Sequence, residues 1–160
     1  MTRNGFTLVE LVVVVGIIGI LLTVGTLQFH QYTLKANIES QVRTMYADLM
    51  KARSEAALQK APRSFNVTDT DFIVYPSTDG SGTPLHHTVF KYPASSEITL
   101  SIEFDTRGVA RFPGSIPSMA VCVQPLGNPA FIDSIVITPT MIQMGKWKQG
   151  SCTSANIDVQ

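Results

Sequence analysis

Neither a charged side chain nor a proline interrupts Leu11 to Leu27, the run LVVVVGIIGILLTVGTL, and no other stretch constrains this chain's folding as strongly. As a helix rising about 1.5 Å per residue, it is long enough to cross most of a bilayer core of ~30 Å. Proline stays absent from Phe6 to Ala61, and Ala61-Pro62 is a natural stop because a residue before proline is biased away from helix. Past the apolar run, Ile38, Val42, Met45, Leu49, Ala52 and Ala56 recur at spacings of four and three, leaving Glu39, Arg43, Asp48, Lys51, Arg53 and Glu55 off the stripe. The expectation is one helix from Phe6 to about Gln59, roughly 80 Å long. Its first half is apolar all round, and its second half lays a stripe on a core.

Beyond Pro62 the pattern changes to short β-like segments with turn punctuation: SFNVT, DFIVYP, TVFKY, EITLSIEF, GVARF, MAVCVQ, DSIVITP and MIQMG. Ile98, Leu100, Ile102 and Phe104 alternate with Thr99, Ser101 and Glu103, the period of a half-buried strand. Asp105-Thr106-Arg107-Gly108 reads as a hairpin turn with Gly108 at positive φ, and Pro76 to Pro84 as an exposed, mobile loop. Roughly 100 residues are left for a single modest core, so the fold class is α+β, a long helix packed on an antiparallel sheet domain.

Glu10 decides what the apolar segment is. A carboxylate at the edge of such a span costs a few kcal/mol, about 2.5 to 3.5 for an acid at the centre of a membrane helix. Three readings compete. A secretory signal peptide needs a shorter apolar stretch and a small-residue cleavage site, which is weak here around Thr23 to Thr26. An ordinary single-pass anchor leaves Glu10 unexplained. If the chain instead starts at Phe6, Glu10 lies one turn from a new amino terminus, where helix dipole and α-amino group both favour a negative charge.

These residues carry a resemblance. MTRNGFTLVELVVVVGIIGIL resembles the class III leader and N-terminal helix of type IV pilins and type II secretion pseudopilins. The resemblance implies cleavage by prepilin peptidase between Gly5 and Phe6, N-methylation of Phe6, and pairing of Glu10 with a neighbouring subunit's amino terminus during assembly. It implies a leader over 1–5, a membrane and filament-core helix over 6–30, an amphipathic helix over 31–60 and a β-rich domain over 61–160. Single-pass insertion in the inner membrane would precede a periplasmic or extracellular filament, with other pilin or pseudopilin subunits as partners. Many pilins have proline where this chain has Leu27, so the kink it produces is not expected here. The order Ile102-Glu103-Phe104, Gly108, Cys122 and Gly145-Lys146-Trp147-Lys148 is similar to FimT/GspH-type minor pilins, which place two small sheets beside the helix. Their last motif carries arginine where this chain has Lys146 and Lys148.

Twelve basic against twelve acidic residues leave no net charge to steer the chain to nucleic acid or to an acidic substrate. Cys122 and Cys152 have no CxxC or histidine partner, so a disulfide is favoured over a zinc site in an oxidising compartment, with two buried thiols as the alternative in the cytosol. Lys146, Trp147 and Lys148 are candidates for DNA binding, two ammonium groups for phosphates and an indole to stack on a base. The bland alternative is a strand end with solvated lysines. His86-His87 points two ways on an extended chain and suits no metal. Gly80 to Gly82 lacks the Lys-Ser/Thr of a phosphate loop, no HExxH or GxSxG occurs, and Asn66-Val67-Thr68 is a chance-level glycosylation sequon. No catalytic constellation or cofactor site is expected, which leaves DNA or secreted proteins as further partners to consider.

Overall fold

A computed structural model of the protein describes residues 7–98, 101–114 and 116–160, and for residues 24–28 the backbone alone. The proline-free stretch forms one helix, α1 (Leu8–Gln59), of 52 residues and therefore about 78 Å. Thr7 caps it, its hydroxyl accepting from the Glu10 amide at 3.3 Å. Lys60 closes it in the left-handed conformation (φ 52°) two residues before Pro62, where the chain can no longer continue the helix. The expected start at Phe6 lies outside the described residues.

The stripe behaves as its spacing requires: Ile38, Val42, Met45, Leu49, Ala52 and Ala56 are all 2 % exposed or less. They pack on two five-stranded antiparallel sheets. The first is built from β1 (Arg63–Val67), β2 (Asp71–Tyr75), β3 (His86–Val89), β5 (Ile102–Phe104) and β6 (Ala110–Arg111), in the order β3-β2-β1-β5-β6. The second takes β4 (Ala94–Ser96), β7 (Met119–Val123), β8 (Ser134–Ile137), β9 (Ile142–Trp147) and β10 (Ile157–Val159), in the order β10-β9-β8-β7-β4. Phe65, Phe72 and Phe104 face the helix from the first sheet, with the Phe65 and Phe104 rings 5.2 Å apart. Met119, Val121, Ile135 and Ile137 face it from the second.

The second sheet is buried on both sides, so β7 and β8 read as continuous apolar runs. Its outer face carries a smaller cluster of Ala120, Cys122, Val136, Trp147, Cys152 and Ile157. The Cys122–Cys152 disulfide (Cα–Cα 5.9 Å) ties β7 to the segment between β9 and β10. The chain after β9 thus returns to cover a face that a two-layer packing would leave wet.

Four segments depart from the sequence expectation. EITLSIEF is not one strand: β4 ends at Ser96, just before it, and within it Ile102–Phe104 alone are described as a strand, β5, with residues 99–100 outside the description. Ile98, Ile102 and Phe104 are all buried, so alternation reports burial correctly and does not report where strand pairing begins. The strand expected at TVFKY starts earlier, at His86, because Phe90 turns into the core and its amide bonds the Thr70 carbonyl. β4 and β10 are too short to register as periodic runs. The Asp105–Gly108 turn forms as expected, with Gly108 at φ +76° and its amide on the Asp105 carbonyl at 2.8 Å. The loop at 76–84 is mostly exposed but tied internally, Ser77 and Asp79 both accepting from the Ser81 amide.

Candidate functional site

Among the described residues, the apolar side chains of the N-terminal part of α1 are left uncovered by the sheets. Leu8, Val9, Leu11 to Val15, Ile17, Ile18 and Ile20 to Leu22 are all exposed, and they point in every direction around the axis. Thr23 satisfies its hydroxyl inside the helix on the Gly19 carbonyl at 2.9 Å, an arrangement that costs nothing in apolar surroundings. Among the described residues no helix is long and apolar enough to cross a membrane. Glu10 is exposed in the first turn of α1, at the positive end of the helix dipole. Gly5 and Phe6 lie outside the described residues. The Thr7-x-x-Glu10 pattern is a helix-start signature that sequence reading passed over, although it marks where the helix begins.

Where the bare helix enters the domain, three side chains clamp it. Gln41 donates to the Tyr92 carbonyl at 2.8 Å and accepts from the Lys91 and Tyr92 amides at 3.0 and 2.9 Å. Glu39 accepts from the Phe131 amide at 3.0 Å, and the Lys35 ammonium sits 3.3 Å above the Phe131 ring. The exposed helix is therefore held at a fixed angle to the sheets by bonds to the β3–β4 and β7–β8 connections.

The Lys146-Trp147-Lys148 cluster is brought together in sequence but not on one surface. Trp147 is 5 % exposed, packed in the outer cluster with both cysteines, so its indole is not available to stack on a base. Lys146 donates to Asp133 Oδ2 at 2.6 Å and to the Asn128 carbonyl at 2.9 Å. Lys148 lies 3.1 Å from Asp158 on the neighbouring strand. Each ammonium faces an acid of its own chain, and the bland reading of the motif fits better than the DNA-binding one. Gly145 serves the same local purpose: a Cβ there would come within 2.5 Å of Ile157 and 2.7 Å of the Asp158 carbonyl. Only glycine lets β10 lie so close.

Two residues that belong to no sequence motif, Asp133 and Asn128, organise this corner. Asp133 is fully buried and accepts from Lys146, from Asn128 Nδ2 (3.0 Å) and from the Trp147 amide (2.7 Å). Asn128 also donates to the Pro125 carbonyl and accepts from the Ala130 amide. Asp105, at the hairpin, accepts from the Val109 and Arg107 amides at 3.0 and 2.9 Å and pairs with the Arg107 and Arg111 guanidiniums. The Val109 amide first, and then Arg107, hold its carboxyl down at about 2 against the opposing effect of burial.

His86 and His87 diverge as adjacent residues of a strand must: His86 Nε2 is 3.1 Å from Asp48 on α1, and His87 Nε2 is 2.7 Å from Asp71. Hydrogen bonds from Thr70 and His87 keep Asp71 below the usual carboxylate range. Among the described residues no group of three or more histidine, cysteine or acidic side chains is placed to hold a metal ion.

Residues 1–26 match the family model described as the prokaryotic N-terminal methylation motif. No curated protein matches the chain. Among solved structures the chain is similar to the type IV minor pilin FimU of Pseudomonas aeruginosa in two crystal forms. One superposes with a TM-score of 0.56 at 19 % identity, over 71 % of this chain and 91 % of FimU. The other gives 0.52 at 19 % identity, over 66 % and 90 %. The chain thus joins an N-terminal methylation motif to a bare apolar helix and a two-sheet domain whose fold is similar to that of a type IV minor pilin.

Proposed function

We propose that the chain is a structural subunit, of the minor pilin or pseudopilin kind, in a type IV pilus or type II secretion filament. The observation that carries this reading is the apolar half of α1, exposed on every side and fixed rigidly to a domain that shares no core with it. Such a surface is stable only in an apolar medium. A bilayer supplies that medium before assembly, and neighbouring helices supply it in a filament.

In this reading the precursor is inserted once in the inner membrane with its domain in the periplasm, a location supported by the Cys122–Cys152 disulfide. Prepilin peptidase cuts between Gly5 and Phe6, and Phe6 becomes N-methylated. The new amino terminus is then within reach of Glu10 of an adjacent subunit, which removes the cost of a bare carboxylate in an apolar core. Replacing Gly5 with valine leaves the precursor uncut and unassembled; normal processing of that variant would overturn the reading. Glu10→Val spares cleavage and removes the subunit from sheared filaments. DNA capture through Lys146, Trp147 and Lys148, the alternative function, draws no support from a buried indole and two internally paired lysines.

A further inference from the structure

Phe131 is 68 % exposed, yet nothing about it is loose. Its amide is bonded to Glu39 and its ring lies under the Lys35 ammonium. The loop carrying it is pinned from beneath by buried Asn128, which bonds the Pro125 carbonyl, the Ala130 amide and Asp133. A large apolar ring held rigidly in the open calls for a partner. Tyr32, 71 % exposed, lies three residues before Lys35 and seven before Glu39, hence on the same helix face below Phe131. Phe29, also exposed, is three residues before Tyr32.

Resting on the membrane-inserted precursor proposed above, we infer that Phe131 and Tyr32, with Phe29 and Lys35, form a seat by which the domain rests in the headgroup layer of a phospholipid bilayer. Two features favour lipid over a protein groove. The apolar surface below the seat has no preferred face, which fits a medium that surrounds it rather than a partner that docks on one side. The order of residue types along the helix is also that of a membrane boundary: apolar to Leu27, aromatic at Phe29 and Tyr32, then the first cation after the leader at Lys35. The headgroup layer is about 5 to 7 Å deep on each side of the hydrocarbon, or roughly three to five helical residues, which places Phe29 within it and Tyr32 at its outer edge. Phe131, level with Lys35, is lowered toward it by a helix tilt of the usual ~20° toward that side. Lys35, whose ammonium lies over the ring, then offers its charge to lipid phosphates at the same level.

The test uses the full-length chain in vesicles of phosphatidylethanolamine and phosphatidylglycerol carrying spin-labelled lipids. Trp147 is the single native tryptophan and is buried, so it gives an unquenched baseline. Phe131→Trp reports the seat, and Ile18→Trp, in the middle of the exposed apolar helix, reports insertion itself. The expected result is quenching of Phe131→Trp at least about twofold stronger by a headgroup label than by one near the chain end, with the opposite order for Ile18→Trp. Deep quenching of Ile18→Trp with Phe131→Trp untouched by either label would overturn the seat and leave the membrane reading standing. No quenching of Ile18→Trp would overturn both. Protection of Phe131→Trp that appears only as the protein-to-lipid ratio rises would assign the surface to a second copy of the chain and overturn the lipid assignment.

Discussion

Asp133→Ala tests whether the corner beneath the Lys146-Trp147-Lys148 motif is structural. Asp133 is 0 % exposed and accepts three hydrogen bonds, from Lys146 Nζ, Asn128 Nδ2 and the Trp147 amide. Truncation strands the Trp147 amide in the interior, which costs about 1 to 3 kcal/mol. It also leaves Lys146 without its acid. Removing one partner of a fully buried pair costs about 3 to 5 kcal/mol, but the Lys146 side chain is 28 % exposed and can turn partly to water, so its share falls below that range. The expected total is about 3 to 4 kcal/mol for Asp133→Ala, and about 2 kcal/mol for Asp133→Asn, which keeps an acceptor for Trp147. Lys146→Met should cost at least as much as Asp133→Ala, because the carboxylate it abandons has no route to solvent. The double change should cost clearly less than the sum. Urea unfolding in mild detergent, followed by Trp147 emission, measures all four variants. An Asp133→Ala midpoint corresponding to less than about 1 kcal/mol, at unchanged slope, would refute the reasoning.

Three further outcomes follow from the same geometry. In a salt titration with duplex and single-stranded DNA, Lys146→Ala/Lys148→Ala should leave whatever affinity the protein has unchanged; salt-sensitive binding abolished by that pair would restore the DNA-binding reading. Reducing the Cys122–Cys152 bond, which closes a separation of 30 residues, should lower stability by about 3 to 4 kcal/mol in urea melts with and without reductant. Asp105, held down at about 2, contributes stability that is fully present above about pH 4 and is lost as pH falls from there through its folded-state value. Acid unfolding curves should therefore flatten between about pH 4 and 2 in Asp105→Asn.

How much of this was legible depended on whether a signal is local. The buried stripe from Ile38 to Ala56 was readable because helical periodicity is enforced every turn by the core it faces. Gly108 was readable because a tight turn imposes its φ within four residues. The confinement of β5 to Ile102–Phe104 was not, since alternating burial does not show which residues find a neighbouring strand to bond. Charges that flank an aromatic residue make the Lys-Trp-Lys motif look like surface from the sequence. Its true environment is set by Asp133 and Asn128, which are remote in sequence and carry no motif of their own.

The sequence by itself determined the long helix, its apolar first half and the leader pattern that makes Glu10 intelligible. Each is a property of composition or of spacing along one element, where a few adjacent residues bear the whole energetic cost. Only the tertiary structure decided that Trp147 is core rather than platform, that both lysines already have acids, and that Phe131 stands rigidly exposed where the helix leaves the domain. Those outcomes depend on which side chains meet across sheets and loops. The burial of an indole or the pairing of an ammonium is a contest among groups far apart in the chain, and it is settled only once the chain has folded.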